Sequence, residues 1–304
     1  MRILVWFVIL TVAIAGCARS TAVSTIKPDG TWKRSLTFSL NDPQAGSENA
    51  MKIEDVFVLP AGPGWKVERT TKDGETTVTA ARELKLGETI AGDVTVLQAG
   101  KATLVNEVVV RETEEEFQYR ETYRWKGERP KELDQPLSEL TSLLDKSLPA
   151  TATTEDKVFL ADGLRKLLWR SLFGPGDPLA LRMLTQPDLA ERLLRQRVGK
   201  GAIELLRERI GDKMTSEERR KAVIMLLDSE NAKAIFDPKA KAEESQKSEK
   251  SNAFVTISVA VGMPFEVRST NGELDPLRNE AFWAMLPEAA ALEEIVLIAS
   301  CAKK

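Results

Sequence analysis

Apolar and polar positions alternate from residue 29 onward. Trp32, Leu36, Phe38 and Leu40 share one face of a two-residue period and Lys33, Ser35, Thr37 and Ser39 the other. This pattern predicts a half-buried strand. Residues 52–59 read as a second strand, stopped by Pro60-Ala61-Gly62-Pro63-Gly64. Residues 65–71 and 75–82 flank Asp73-Gly74, a pair that supplies the positive φ angles of a tight hairpin turn. Residues 89–98 and 102–111 form a further pair around Ala99-Gly100. The clearest strand is 112–125, with Phe117, Tyr119, Tyr123 and Trp125 on one face and Gln118, Arg120, Thr122 and Arg124 on the other. Such a stripe reads as core or cross-strand ladder. The alternative reading is the wall of an apolar groove that holds an acyl chain or a partner peptide.

The period then changes. Leu137, Leu140, Leu143, Leu144 and Leu148 recur at helical spacing, and so do Val158, Leu160, Ala161, Leu164, Leu167, Leu168, Leu172 and Phe173. Gly174-Pro175-Gly176 ends that run, Asp177-Pro178 reads as an N-cap with proline at the first helical position, and Pro187 starts the next helix. Leu189, Leu193, Leu194, Val198, Ile203, Leu205 and Leu206 continue the pattern, and Thr215 with Glu218 matches a capping box. Residues 237–252 are charged, with almost nothing to bury, and read as a linker. Alternation returns at Val255, Ile257, Val259 and Val261. Asn271-Gly272 predicts a hairpin whose return strand is 281–286, around Trp283, and 295–300 reads as a strand buried on both faces.

The fold class expected is α+β: a mainly antiparallel β-sheet body formed by N- and C-terminal segments, with an α-helical insertion. A few terminal strands this apolar need a sheet or helix to cover them. The boundaries expected are a β-rich segment over 29–128, a helical insertion over 129–236, the linker over 237–252, and strands completing the sheet over 253–304.

The first sixteen residues follow a different logic. Arg2 precedes an apolar run over 3–16, shorter than the roughly 20 residues needed to span a bilayer but matching a secretory signal. It ends in Ile14-Ala15-Gly16-Cys17, an aliphatic residue, two small ones and a cysteine. This motif resembles the lipobox of bacterial lipoproteins. The resemblance implies cleavage between Gly16 and Cys17, lipidation of the Cys17 thiol, and acylation of the new amino terminus by a fatty acid such as palmitate. Several acyl chains hold a protein stably at a membrane where one is marginal, because each buried CH₂ contributes about 0.8 kcal/mol. Ala18 in place of an aspartate implies, in a Gram-negative cell, the periplasmic side of the outer membrane. Residues 17–28 are expected to be the lipidated cysteine and a polar tether reaching at most about 40 Å.

Composition narrows the functions open to the body. The chain of 304 residues has no histidine and two cysteines. That removes the usual general base of Ser-His-Asp and Cys-His sites and the commonest zinc ligand. With Cys17 lipidated, Cys301 is the one remaining thiol; it reads as a small hydrophobe at a strand end, the alternative being a reactive thiol. A net charge of −3 with mixed signs gives no nucleic-acid footprint. Arg165, Lys166, Arg170, Arg192, Arg195, Arg197, Lys200, Arg207 and Arg209 are nearly balanced by interleaved acids such as Asp162, Glu191, Glu204 and Glu208. They read as a solvated helix face, the alternative being a face for anionic headgroups. Glu112, Glu114, Glu115 and Glu116 read as a solvated strand edge, the alternative being a divalent-cation site that needs ligands from elsewhere. No catalytic, cofactor or metal residue is assigned.

Met263-Pro264, Ser269-Thr270-Asn271-Gly272, Phe282-Trp283 and Val296-Leu297-Ile298-Ala299-Ser300 resemble the closing strands of LppM-like bacterial lipoprotein domains. Phe265 stands where that pattern has glycine, and the helical section is a further departure. The resemblance implies an α+β envelope domain that contacts lipids or glycolipids, and brings no catalytic residues. The expected function is that of a non-enzymatic envelope lipoprotein, membrane-bound through its N-terminal lipid and binding an envelope protein or lipid. A lipid- or glycolipid-binding module is the alternative, and a histidine-free carboxylate hydrolase a remote one.

Overall fold

A computed structural model describes residues 17–42, 50–72, 74–130, 138–227 and 254–303. The signal segment 1–16 and the linker 237–252 lie outside the described residues. The described chain divides into two compact units, a sheet unit from 17–128, 174–177 and 254–303, and a helical unit from 129–173 and 178–227. Among the described residues no helix is long and apolar enough to cross a membrane.

The sheet unit contains β1 (Cys17–Ile26), β2 (Trp32–Asn41), a short helix α1 (Ile53–Val56), β3 (Phe57–Val58), β4 (Lys66–Lys72), β5 (Glu75–Leu84), β6 (Thr89–Gln98), β7 (Lys101–Glu112) and β8 (Glu116–Trp125). Its C-terminal part adds β9 (Phe254–Gly262), β10 (Val267–Thr270), β11 (Glu273–Asp275), β12 (Glu280–Met285) and β13 (Ile295–Ala302). They form a 7-stranded sheet, β11-β12-β9-β1-β2-β5-β4, and a 6-stranded sheet, β10-β13-β8-β7-β6-β3. Strands from both ends of the sequence therefore share each sheet. The fold is α+β with a mainly antiparallel body; β1 with β9 is the parallel pair among the described strands.

Four expectations from the sequence need correction. Residues 17–28 are not a tether: Cys17–Ile26 is a ten-residue strand inside the larger sheet, paired along its length with β2 and with β9. Apart from Ile26 at its end, its inward side chains, Ala18, Ser20, Ala22 and Ser24, are small and only weakly apolar, so the alternation does not register as a strand. Their size complements the bulk contributed by other strands, Trp32, Tyr119, Tyr123 and Trp283, all at most 1% exposed.

Residues 52–59 are not one strand. The Asp55 carboxylate accepts the Lys52 N–H at 2.8 Å, which starts one helical turn, and only Phe57–Val58 pairs, with β6. Asp177-Pro178 caps one residue later than expected, because Pro178 is itself the extended N-cap. Asn271-Gly272 is not a hairpin turn: β10 before it pairs with β13 in one sheet, whereas β11 after it pairs with β12 in the other. The pair is a corner at which the chain changes sheets. Asn271 holds it, accepting the Trp283 Nε1–H and the Ile298 N–H on Oδ1, each at 3.0 Å, and donating from Nδ2 to the Val296 carbonyl at 2.7 Å.

The helical unit contains α2 (Ser138–Ser147), α3 (Thr154–Phe173), α4 (Leu179–Thr185), α5 (Pro187–Ile210) and α6 (Ser216–Leu227). Its core gathers Leu144, Leu160, Leu164, Leu206, Ile210 and Leu226. Helices α3 and α5 approach closely through two reciprocal glycine–leucine contacts. A Cβ on Gly163 would stand 2.7 Å from Leu205, and one on Gly201 2.7 Å from Leu167. Thr215 and Glu218 close the expected capping box, with the Thr215 N–H on the Glu218 carboxylate at 2.7 Å and the Glu218 N–H on the Thr215 hydroxyl at 3.2 Å.

Candidate functional site

Two places in the sheet unit concentrate chemistry. The first is Cys17, exposed at the first position of β1 and paired in the ladder with Asn41 and Phe254. Gly16, on the other side of the expected cleavage, lies outside the described residues.

The second is a cluster of ionisable and polar side chains sealed between the two sheets. Arg34 projects inward from β2, a position bracketed by the core residues Trp32 and Leu36. Its guanidinium donates from Nε to Asp93 at 2.9 Å, from Nη2 to Glu121 Oε1 at 2.6 Å, and from Nη1 to Glu121 Oε2 at 3.0 Å, to the Ser24 hydroxyl at 3.1 Å and to the Tyr119 hydroxyl at 3.3 Å. Asn106 donates from Nδ2 to Asp93 at 2.6 Å and to Glu121 at 2.7 Å. The Tyr119 and Tyr123 hydroxyls both donate to Glu121 as well.

A β-bulge brings Asp93 into this cluster. The β6–β7 register runs from Ala91 opposite Glu107 to Thr95 opposite Val105, so Gly92, Asp93 and Val94 face the single residue Asn106. Gly92 has φ +74°, the left-handed conformation that such a bulge favours in glycine. The Val94 N–H, displaced from the ladder, is taken by Asn106 Oδ1 at 2.8 Å. Bulge and network therefore support each other.

The electrostatics follow from burial. Desolvation alone would raise the Glu121 carboxyl; the Arg34 charge and hydrogen bonds from Arg34, Tyr119 and Asn106 outweigh it and hold the group below the ordinary carboxylate range. Burial, then the Glu121 charge, push the Tyr119 and Tyr123 hydroxyls well above theirs, so both remain donors. The cluster carries one cation against two carboxylates, each fully hydrogen-bonded within the protein. It has no reach to solvent, with Arg34 and Glu121 both 0% exposed. Its chemistry is to join two sheets in one register.

The aromatic stripe falls in this same interior. Phe117, Tyr119 and Tyr123 are buried, and Tyr119 stacks on Trp283 with centroids 6.3 Å apart. Trp125 is half-buried and donates to the Glu128 carbonyl at 3.0 Å. A groove wall must be reached from outside, so the groove reading of Phe117, Tyr119 and Tyr123 is replaced by core. The residues missed by the sequence reading are Arg34, Asp93, Asn106 and Glu121. Two of them carried a signal: Glu121 lies on the aromatic face of its strand between Tyr119 and Tyr123, and Arg34 lies on the apolar face of β2, charges of opposite sign at core positions.

Several of the remaining candidates take structural roles. Cys301 is buried, and burial pushes its thiol up. Glu112 pairs with Lys303, and Glu116 accepts from Gln118. Among the described residues, no three acidic or sulfur side chains converge to hold a metal ion. On the helices, Asp162 pairs with Arg165 and Lys166, Glu191 with Arg195, and Asp156 with Arg209.

No family model matches the chain, and no curated protein matches it. Among solved structures it is similar to the NMR structure of the folded domain of the Mycobacterium tuberculosis LppM protein. The identity is 10%, over 95% of this chain and 91% of that one, with a TM-score of 0.34. At that level of agreement, fold and function are left to this chain's own residues.

Proposed function

We propose that the protein is an envelope lipoprotein, held at a membrane through acylated Cys17, whose sheet body acts by binding an envelope partner and not by catalysis. The observation that carries this reading is the exposed Cys17 at the head of β1, directly after Ile14-Ala15-Gly16. The chemistry of the body agrees with it. The chain has no histidine, and its densest cluster of ionisable groups is closed to solvent and committed to internal bonds.

The test is the mass of the N-terminal peptide of membrane-purified protein, together with fractionation of a Cys17→Ala variant. A diacylglycerol and acyl adduct on Cys17, and loss of the variant from the membrane fraction, are the expected results. An unmodified Cys17, or a variant that stays wholly with membranes, would sink the anchor. Lipid analysis of the same preparation reads the binding partner, and a stoichiometric co-purifying lipid would favour a lipid-binding module over a protein partner.

A further inference from the structure

The lipoprotein reading fixes where the anchor is; the structure also bears on how far from it the body stands. Lipoprotein bodies with a flexible segment after the cysteine can stand off the bilayer, but here no residue separates the cysteine from the fold. Cys17 already pairs with Asn41 on one side and Phe254 on the other, and Ala18 is 2% exposed. Because β1 is flanked by β2 and β9, successive residues released as tether give up ladder bonds to one neighbour and then the other, and each gains only about 3.5 Å of reach.

We propose that the protein is a stalkless lipoprotein, in which one rim of the seven-stranded sheet is apposed to the phospholipid headgroups and the opposite rim is turned away from them. This rests on acylation of Cys17. The strand register says which rim is which. Cys17 is level with Asn41, Asn41 with Glu75, and Glu75 with Lys72, so the ends of β1, β2, β5 and β4 lie along the anchored rim. Lys72 is exposed there. At the other rim Thr25 is level with Gly262 and Gly262 with Glu280. Eight residues of strand at about 3.3 Å each place that rim about 26 Å from Cys17. Beyond it, in the turn joining β11 to β12, Leu277 is 96% exposed. An apposed rim restricts a partner to the far rim and the outer faces, and Leu277 is an exposed apolar contact at that rim.

The experiment uses the full lipidated protein in vesicles of phosphatidylethanolamine and phosphatidylglycerol doped with a lipid whose headgroup carries a gadolinium chelate. Single thiols introduced by Lys72→Cys or Leu277→Cys carry a spin label; Cys301 is buried and does not compete. Relaxation enhancement at position 72 is expected to exceed that at 277 several-fold. A flexible twelve-residue insertion between Cys17 and Ala18 is expected to bring the ratio toward one. Equal enhancement without the insertion, or a larger effect at 277, would overturn the apposition while leaving the anchor intact. An N-terminal peptide without its lipid adduct would remove the anchor and the apposition together.

Discussion

Arg34 and Glu121, 87 residues apart in sequence, meet between the two sheets as a two-point ion pair, with Nη1 3.0 Å from Oε2 and Nη2 2.6 Å from Oε1. One comes from the larger sheet and the other from the smaller, so the pair fixes how one sheet is set on the other. Buried ion pairs add little net stability over apolar replacements, because both charges are desolvated. Breaking one by removing a single partner is costly.

Arg34→Met follows from that asymmetry. It leaves two buried carboxylates, Glu121 and Asp93, without their cation, and is expected to lower the unfolding free energy by about 3–5 kcal/mol. Combining it with Asp93→Asn and Glu121→Gln removes every charge while keeping one carbonyl acceptor at position 121 for Asn106 and Tyr123. That triple variant is expected to recover more than half of the loss in urea unfolding. A triple variant as unstable as Arg34→Met alone would show that shape, not unpaired charge, sets the cost.

The same pair predicts a pH dependence. Glu121 titrates below its ordinary value of about 4.3 in the folded protein, so in acid the unfolded chain binds more protons at this position. Its contribution is full above the ordinary value and is lost as pH falls through the lower, folded one. Glu121→Gln has no such proton to take up. Relative to that variant, the wild-type protein is expected to lose stability between about pH 5 and the acid limit. The check is a set of urea midpoints for both proteins across that range; parallel curves would contradict the lowered value.

Much of the architecture was legible because period and turn chemistry agreed. The alternation in β2, β5 and β8 and the Asp73-Gly74 turn pointed to strands that the structure contains, as the leucine spacing did for α3 and α5. Two features escaped for different reasons. Strand β1 supplies Ala18, Ser20, Ala22 and Ser24 to the interior, and small side chains fill a core position without marking it in sequence. The polar cluster was hidden because Arg34, Asp93 and Glu121 come from three distant strands, and only their tertiary pairing makes each position sensible. Asn271-Gly272 shows a third limit: a pair with strong hairpin character serves as a change of sheets when the asparagine side chain supplies the bonds.

Ser20 and Ser24 give a paired prediction on β1. Both are 0% exposed, but the Ser24 hydroxyl accepts from Arg34 at 3.1 Å whereas the Ser20 hydroxyl has no hydrogen-bond partner among the described residues. Ser20→Ala removes an unsatisfied group and is expected to stabilise by about 1 kcal/mol, and Ser24→Ala to destabilise by a similar amount. Opposite shifts in thermal midpoint check this, and a loss at Ser20 would mean that its hydroxyl is bonded.

Gly272 gives the last prediction, because the sheet-changing corner depends on a missing Cβ. A methyl group there would stand 2.4 Å from Trp283 Cε2 and 2.7 Å from the Phe282 carbonyl oxygen. Neither can give way cheaply: the indole is stacked on Tyr119 and its Nε1–H is held by Asn271, while the carbonyl belongs to the backbone of β12. Gly272→Ala is therefore expected to cost about 1–3 kcal/mol as overpacking, and to shift the indole N–H resonance of Trp283. Asn271→Ala loses all three bonds, and Asn271→Asp keeps the acceptor for Trp283 and Ile298 but sets a carboxylate oxygen against the Val296 carbonyl, so both are expected to disturb the corner. An unchanged Trp283 resonance in Gly272→Ala would place the corner's flexibility, not its packing, at this position.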